Sequence, residues 1–320
     1  MAGTCCLLCF AIGKARAIIR LPASDAFLTE RSSSASAYLA ILASALLFST
    51  GGAAIKATSL TSWQVASFRS GIGAIALLIL VKGSRRRINL KFVVTAVALA
   101  ATLLLFAHAN KLTTAANTVF LQSTAPLWIL ALAPRLLGER PQRADVIYTA
   151  FLAMGAVTFF VGIQQPFATA PDPRTGNIMA LISGFTWSLG LMGLRWVQWG
   201  DDDPVGAAGA TVVCGNVLAC LAGLPAALPV SSVRLADVAV LLYLGLFQVG
   251  AAYALMTSAV RRLRALEVAL FMLVEPVASS LLAWSLHGER PGPWALGGGA
   301  LIVGSTAWRA VVGSRAARSR

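Results

Sequence analysis

A short motif occurs twice in this chain, and the two copies lie 150 residues apart. Residues 137–141 (LGERP) return as residues 287–291 (HGERP), and Pro126 and Pro276 stand at the same distance before each copy. Two further similarities between the halves occur in the same order. Residues 48–51 (FSTG) resemble 187–190 (WSLG), and the glycine pair 155 and 162 has the same spacing as the pair 297 and 304. Three similar segments in the same order indicate that the chain consists of two related halves.

Long apolar segments fill both halves. Hydrophobic residues make up 58% of the chain and charged residues only 12%, whereas about a quarter of the residues in soluble domains are charged. A membrane-spanning helix needs about 20 mostly apolar residues. Ten segments qualify, at about 36–55, 63–81, 92–109, 113–134, 146–163, 176–197, 205–228, 236–258, 265–286 and 293–312. An odd number of spans per half inverts the second half, so the sequence predicts an all-α integral membrane protein of ten transmembrane helices in two inverted five-helix repeats.

Basic residues indicate which side each loop faces, because short loops rich in Lys and Arg stay in the cytoplasm. With the N-terminus inside, 20 of the 26 Lys and Arg residues fall in cytoplasmic stretches, five fall in external loops and Arg69 alone lies within a span. We therefore predict a multi-pass protein of the inner, cytoplasmic membrane with both termini in the cytoplasm. The net charge of +14 then needs no nucleic-acid partner, because these residues flank spans instead of forming one basic face.

The remaining segments are assigned by composition. Residues 1–35 are expected to form a disordered cytoplasmic tail, 36–164 and 175–312 the two repeats, and 313–320 a basic cytoplasmic tail. The acidic run 201–203 is interpreted as a solvated loop, since consecutive carboxylates converge poorly on one ion. Cys6 and Cys9 lack the partners of a zinc site, and their lipidation stays open. The sequence thus indicates no metal and no cofactor.

Both halves carry a pattern that extends beyond the duplicated motif. It runs from residues 112–116 through Pro126 to 138–141, and from Tyr253 through Ala265, Glu275 and Pro276 to 288–291. These stretches resemble the paired pattern of the EamA family of the drug/metabolite transporter superfamily, over about residues 36–312. The resemblance implies a ten-helix inverted-repeat fold and export or exchange of small metabolites, often amino acids. It does not identify the substrate.

Polar side chains at mid-membrane depth are costly in hydrocarbon, so they suggest contact with a transported solute. We expect a cavity between the halves, lined from spans one, four, six, eight and nine. The candidate substrate-binding residues, polar and aromatic, are Glu275, Gln122, Gln248, Trp187, Ser49, Trp128, Tyr253 and Arg69. A structural alternative stays open for several of them: an intramembrane Gln often forms a helix-to-helix hydrogen bond worth about 0.6 kcal/mol, and Ser49 is small enough to permit close packing.

Two of these candidates carry a charge. A carboxylate at the depth of Glu275 costs roughly 2.5–3.5 kcal/mol on insertion scales, so Glu275 is expected to be protonated, paired or exposed to a water-filled cavity, where it could carry a coupling proton. Alternatively, it bonds backbone freed by Pro276. Arg69 either snorkels towards the nearer membrane surface or pairs with a carboxylate or an anionic part of the substrate.

Other function classes lack their motifs. The sequence contains no Gly-x-Ser-x-Gly or His-Glu-x-x-His pattern and no Gly-x-x-x-x-Gly-Lys-Ser/Thr loop, so neither a hydrolase nor a nucleotide-driven pump is predicted. The sequence favours a secondary transporter of a small metabolite, an amino acid or related compound or a drug, by export or exchange, with proton coupling as one option. A passive channel and a membrane sensor or assembly protein stay open as alternatives.

Overall fold

The computed structural model describes residues 34–86, 89–136, 143–161, 165–166, 168–260, 263, 271–272 and 274–318. Within these ranges the protein is helical and has no β-strand, which confirms the predicted all-α class. The helices are α1 (Ser34–Ala57), α2 (Ser62–Leu80), α3 (Leu90–Leu112), α4 (Ala115–Gln122), α5 (Ala125–Leu136), α6 (Arg143–Val161), α7 (Pro173–Gln198), α8 (Pro204–Ala227), α9 (Leu235–Tyr243), α10 (Ala252–Val260), α11 (Val274–His287) and α12 (Pro293–Arg318). The predictions for residues 1–33 and for the first motif copy lie outside the described residues.

Helices of membrane-spanning length dominate the described ranges. Eight stretches there are long and apolar enough to cross a membrane, and they coincide with the first eight predicted spans: Ser36–Ala57, Ser62–Leu80, Leu90–Leu112, Ala115–Leu132, Arg143–Val161, Pro173–Gln198, Pro204–Ala227 and Leu235–Ala259. Many of their large apolar side chains stay exposed, for example Ile79 (69%) and Val146 (62%). Such a surface suits lipid and not water, so this is a multi-pass membrane protein.

The predicted fourth span is not one continuous helix. It divides into α4 and α5 around Ser123 and Thr124. Pro126 has no backbone N–H to donate inside a helix and is accommodated best in the first turn, where it stands in α5. The Thr124 hydroxyl donates to the Leu121 carbonyl at 2.6 Å, and the Thr124 carbonyl accepts from the Leu127 N–H at 2.9 Å. The break leaves Gln122 at a helix end.

The predicted eighth span contains a π-helical segment, Leu244–Ala251, between α9 and α10. Its glycines allow a close approach to α2: a Cβ atom added at Gly250 would lie 2.6 Å from the Ala76 Cβ. Short π-helical segments inside α-helices are frequent at functional sites, and this one contains the candidate residue Gln248. The wider turn rotates the side chains that follow it relative to those that precede it.

Helices of the first half, α1 to α6, pack against helices of the second half, α7 to α12. Helix α2 packs on α8 and on the π-helical segment, α3 on α7 and α8, and α6 on α12. Helix α1 packs on α10 and α11, and α4 on α7 and α11. The largest apolar cluster accordingly contains buried residues from both halves, among them Phe48, Leu99, Val212 and Tyr253. The core therefore lies between the halves, where the predicted cavity also belongs.

Candidate functional site

One cavity in the described part of the chain collects most of the candidate residues. Its lining comes from α1, α2, α3, α4, α7, the π-helical segment, α10, α11 and the residues just before α11. The lining residues are Phe48, Arg69, Thr102, Leu103, Phe106, Gln122, Trp187, Gln248, Val249, Tyr253, Met272 and Glu275. Six of the eight candidates are among them, and both halves contribute.

Arg69 lies entirely inside the protein, with a relative exposure of 1%, so it does not snorkel to a membrane surface. One guanidinium nitrogen, Nη2, donates to the Leu103 carbonyl at 3.0 Å, and the other, Nη1, lies 3.5 Å from the Gln248 Oε1 atom. The guanidinium carbon lies 5.7 Å from the centre of the Phe106 ring, within the range of a cation–π interaction. The described residues include no carboxylate in an ion pair with Arg69.

Gln248 reaches the cavity because the opposing helix makes room for it. The Gln248 Nε2 atom would lie 2.7 Å from a Cβ atom added at Gly51 on α1. Only a residue without a side chain therefore admits the amide in this position. Gln248 itself is 5% exposed. The π-helical turn and the glycine together hold its oxygen towards Arg69.

Glu275 lines the same cavity from the first turn of α11, next to Pro276. None of the described residues forms a hydrogen bond or an ion pair with its carboxyl group, and Arg69 is not within ion-pair distance. The alternative that Glu275 bonds backbone groups freed by Pro276 is therefore not supported by any hydrogen bond among the described residues. An acidic group in this position is available to a solute or to a proton.

Gln122 and the aromatic residues complete the cavity walls. The Gln122 amide donates to the Ser183 hydroxyl at 2.8 Å, which leaves its carbonyl oxygen for another partner. The Tyr253 ring contacts the Phe48 ring edge-on at 5.1 Å and the Trp187 ring at 6.2 Å between centroids. These three rings form an apolar wall that faces the polar groups.

Two candidates lie outside the cavity lining. The Ser49 hydroxyl donates to the Leu46 carbonyl within its own helix at 2.7 Å, and the residue is 1% exposed, as expected for a packing residue. Trp128 packs against Phe185 with 5.3 Å between ring centroids, so its indole fills space between α5 and α7. Neither side chain reaches the cavity in this state.

Half of the lining was not anticipated from the sequence. Spans two and three contribute to the wall, although neither was among the five spans expected to line the cavity; of the two, only span two held a candidate residue, Arg69. Leu103 acts through its backbone carbonyl and Phe106 through its ring face, which are properties that side-chain polarity does not reveal. The other additional lining residues are Phe48, Thr102, Val249 and Met272. Phe48, Val249 and Met272 are apolar, and such residues are indistinguishable from lipid-facing ones in a single sequence. Thr102 is polar, but its hydroxyl donates to the Ala98 carbonyl within its own helix.

One end of the helix bundle is closed by a buried polar cluster. The Lys56 ammonium lies 2.9 Å from the Glu289 Oε1 atom, and the side chains are only 3% and 1% exposed. Lys56 also donates to the carbonyls of Thr113, at 2.8 Å, and of Thr169. The other Glu289 oxygen accepts from the Ala115 N–H at 2.9 Å. We call these residues the Lys56 cluster; it joins α1, the start of α4 and the segment after α11.

The sequence does not reveal the Lys56 cluster, because a charged residue near the end of a predicted span can equally well lie in a solvated loop. The backbone turns just before Glu289, since Gly288 has a φ of 66° and its N–H donates to the Trp284 carbonyl at 3.0 Å. The side chain of Glu289 nevertheless points into the protein. A further bond at this end runs from His287 Nε2 to the Ala53 carbonyl at 2.8 Å.

The opposite end has a looser connection between the halves. Arg86, in the loop after α2, lies 2.9 Å from Asp201, and the side chains are 29% and 24% exposed. The Asp203 N–H donates to the Asp201 carboxylate and, together with Arg86, lowers the pKa of Asp201 below its usual value. Asp203 caps α8 by accepting from the Gly206 N–H at 3.0 Å. The acidic run is thus a solvated, bonded loop between α7 and α8.

Comparisons with known proteins bear on this architecture. Residues 35–161 and 174–309 each match the model of the EamA-like transporter family. Fifteen chains of solved structures match the protein; one of them, a crystal structure of a protein, has a TM-score of 0.61 and 22% sequence identity, covering 88% of this chain and 99% of that chain. That likeness concerns the fold alone. No curated protein matches in sequence. Because the two family matches together cover most of the chain, one copy in each half, the protein belongs to the EamA-like transporter family of the drug/metabolite transporter superfamily.

Proposed function

We propose that this protein is a secondary transporter that moves a small metabolite across the cytoplasmic membrane, by export or exchange, through alternating access. The substrate is an amino acid, a related compound or a drug of similar size. The observation that carries the proposal is the cavity itself, which is lined from both family-matched halves and contains Arg69 and Glu275 without protein ion-pair partners among the described residues. A solute in transit needs such polar groups at mid-depth.

Ten spans in two inverted repeats, 36–164 and 175–312, are part of the proposal, and the packing of the helices supports it. Helix α2 packs on α8 and α6 on α12, which joins counterpart spans two with seven and five with ten. The other contacts form corresponding pairs: α3 with α7 corresponds to α10 with α1, and α4 with α7 to α11 with α1. A pseudo-two-fold axis in the membrane plane generates this exchange.

The proposed orientation places the Lys56 cluster at the outer surface and the Arg86 loop in the cytoplasm, as the distribution of basic residues favours. Lys56 and Arg195 both stand seven residues after the matching serines Ser49 and Ser188. Lys56 is buried in an ion pair, whereas Arg195 is exposed. This difference between equivalent positions supports a state that is closed outside and accessible from the cytoplasm.

Transport then requires the Lys56 cluster to open. Four contacts with Lys56 and Glu289 hold α1, α4 and α11 together at this end. Their separation would expose the cavity to the outside while the cytoplasmic ends close, which is the rocking motion of one repeat against the other. Glu275 is proposed to carry a proton through this cycle or to bind an ammonium group of the substrate.

Counterflow in proteoliposomes tests the proposal directly. Vesicles containing purified protein are loaded with one unlabelled compound from a panel of amino acids and cationic drugs, and uptake of the same labelled compound is followed. A carrier produces transient, saturable accumulation above equilibrium, because the internal compound drives exchange. A passive channel gives equilibration without overshoot, and a sensor or assembly protein gives no movement. Either of those results would reject alternating-access transport.

A further inference from the structure

We propose that Arg69 is the binding partner of an anionic group on the substrate, so that the transported compound carries a carboxylate, phosphate or sulfonate. The inference rests on the proposed transport function and narrows its substrate class. Its basis is a guanidinium that is 1% exposed yet lines the cavity. A buried cation without a carboxylate is unstable unless something else neutralises it.

The hydrogen bonds of Arg69 leave room for an anion. A guanidinium has five N–H donors in a planar fork. The Arg69 Nη2 group donates one hydrogen bond to the Leu103 carbonyl at 3.0 Å. The Nη1 group lies 3.5 Å from the Gln248 Oε1 atom, which is the outer limit of a hydrogen bond. The buried Nε atom has no partner in the described residues. Unused donors on one planar group match the two oxygens of a carboxylate or the face of a phosphate.

The acidic side chains elsewhere in the described residues do not supply the missing charge. Glu289 pairs with Lys56, Asp237 accepts from Ser59 and Asp145 pairs with Arg309. Glu275 faces the same cavity but makes no ion pair with Arg69. Among the described residues, no carboxylate therefore neutralises Arg69, and a transported solute can bring the compensating anion into the cavity once in each cycle.

This arrangement also predicts what the cavity rejects. A cationic compound without an acidic group would meet the uncompensated charge of Arg69 in a buried space, where repulsion between like charges is weakly screened. Glu275 permits an ammonium group on the same molecule, provided that an anionic group is present for Arg69. Cationic drugs are therefore expected to be poor substrates, unlike acids and zwitterions.

Metabolite profiling tests the inference even though the substrate is unidentified. Cells producing the wild-type protein, the variant Arg69→Gln or an empty vector are compared by untargeted mass spectrometry of the medium and of the cell extract. Compounds that change at least threefold with the wild type and not with R69Q are expected to carry an acidic group. Each such compound and its amide or ester are then compared in proteoliposomes, where we expect at least a tenfold weaker interaction once the acidic group is masked.

Two variants separate binding from folding. In Gln248→Glu a carboxylate would stand beside the guanidinium and satisfy it internally, so transport of the acid should fall at least tenfold while the protein stays folded. The matched control Gln248→Met removes the same amide without adding charge, and it should reduce transport less. Arg69→Lys keeps the charge but not the planar fork, so partial transport is expected. Expression and monodispersity in detergent are checked for each variant.

The outcomes distinguish this inference from the function on which it rests. If the wild-type protein changes no compound and gives no counterflow with any, the transport function is wrong and the inference falls with it. If it transports compounds that lack an acidic group, or if amides and acids behave alike, transport stands and the role of Arg69 is refuted. A strict requirement for chloride with a neutral substrate would refute it as well, because Arg69 would then hold a coupling ion. Equal transport by Q248E and Q248M would also refute the proposed role of Arg69.

Discussion

Breaking the Lys56–Glu289 pair should lower stability strongly, and a double-mutant cycle can measure the coupling between the two partners. Both side chains are almost completely buried, at 3% and 1% exposure. Removing one partner of a buried pair costs about 3–5 kcal/mol, because the remaining charge is left without compensation. We therefore expect Lys56→Met and Glu289→Gln each to lower the free energy of unfolding by about that amount.

The double variant K56M/E289Q should recover much of the loss, since no charge remains buried. The glutamine oxygen can still accept from the Ala115 N–H, whereas the Thr113 and Thr169 carbonyls lose the bonds from Lys56. Each lost bond costs about 0.5–1.5 kcal/mol. The double variant is therefore expected to be about 1–3 kcal/mol less stable than the wild type, and the coupling energy between the two sites should reach about 3 kcal/mol or more.

Equilibrium unfolding in mixed detergent micelles provides the measurement, with the Arg86–Asp201 pair as its control. That pair has the same 2.9 Å separation but is 29% and 24% exposed, and exposed pairs contribute only about 0–1 kcal/mol. A cycle through Arg86→Gln and Asp201→Asn should give a coupling in that range. If the Lys56 cycle gave a coupling no larger than this control, the pair would not be a buried electrostatic contact and the proposed closure at the outer surface would lose its support.

Three further predictions concern the transport cycle. Glu275→Gln keeps the size and hydrogen-bonding capacity of the side chain but cannot release a proton; net export should fail while exchange persists if Glu275 carries a proton, and normal transport from pH 5 to 8 would make it structural. Gly51→Ala would push the Gln248 amide out of its position, since the added methyl lies 2.7 Å from Nε2. Because that amide is the end of a flexible side chain, stability should change by less than about 1 kcal/mol, whereas substrate affinity should fall. Unchanged affinity would contradict the assignment of Gln248 to the substrate site. Cysteines placed at Gln142 and Gly292 in a cysteine-free background should label from opposite sides of the membrane, and labelling from one side would exclude the inverted repeat.

The helical architecture was predictable because its physical cause is local. A run of apolar residues long enough to cross the hydrocarbon predicts a membrane span whatever segments surround it. The first eight predicted spans agree with helical stretches of the structure. The interruption of the fourth span was less visible, although Pro126 contained the information. The π-helical segment at 244–251 had no such marker, because it depends on how closely α2 approaches.

The candidate site was partly predictable, for a different reason. Gln122, Gln248, Arg69 and Glu275 are exceptional at mid-span, so composition alone singles them out. The Leu103 carbonyl next to Arg69 is a backbone group that each residue possesses, and its role emerges only when α3 packs beside α2. For the same reason, the position of a charged residue at a helix end did not reveal whether it was buried, as in the Lys56 cluster.

The repeated segments that first indicated duplication place corresponding side chains close together in the structure. Phe48 and Trp187 occupy matching positions, and both rings contact Tyr253, at 5.1 and 6.2 Å. Ser49 and Ser188 also match, and each hydroxyl donates to the carbonyl three residues before it. Both copies share these features, so they belong to the scaffold and carry little information on the substrate.

Specificity must then come from positions where the halves differ. Gly51 and Gly190 match, and each lies against a side chain of another span: a Cβ atom added there would meet Gln248 at 2.7 Å and Leu99 at 2.6 Å, respectively. The same opening thus admits a polar amide in one half and an apolar side chain in the other. Arg69, beside that amide, has no basic counterpart in the seventh span. The two differences lie together, so the polar side of the cavity forms where the two family-matched halves differ in sequence. Substitutions there should change what is transported and not whether the protein folds.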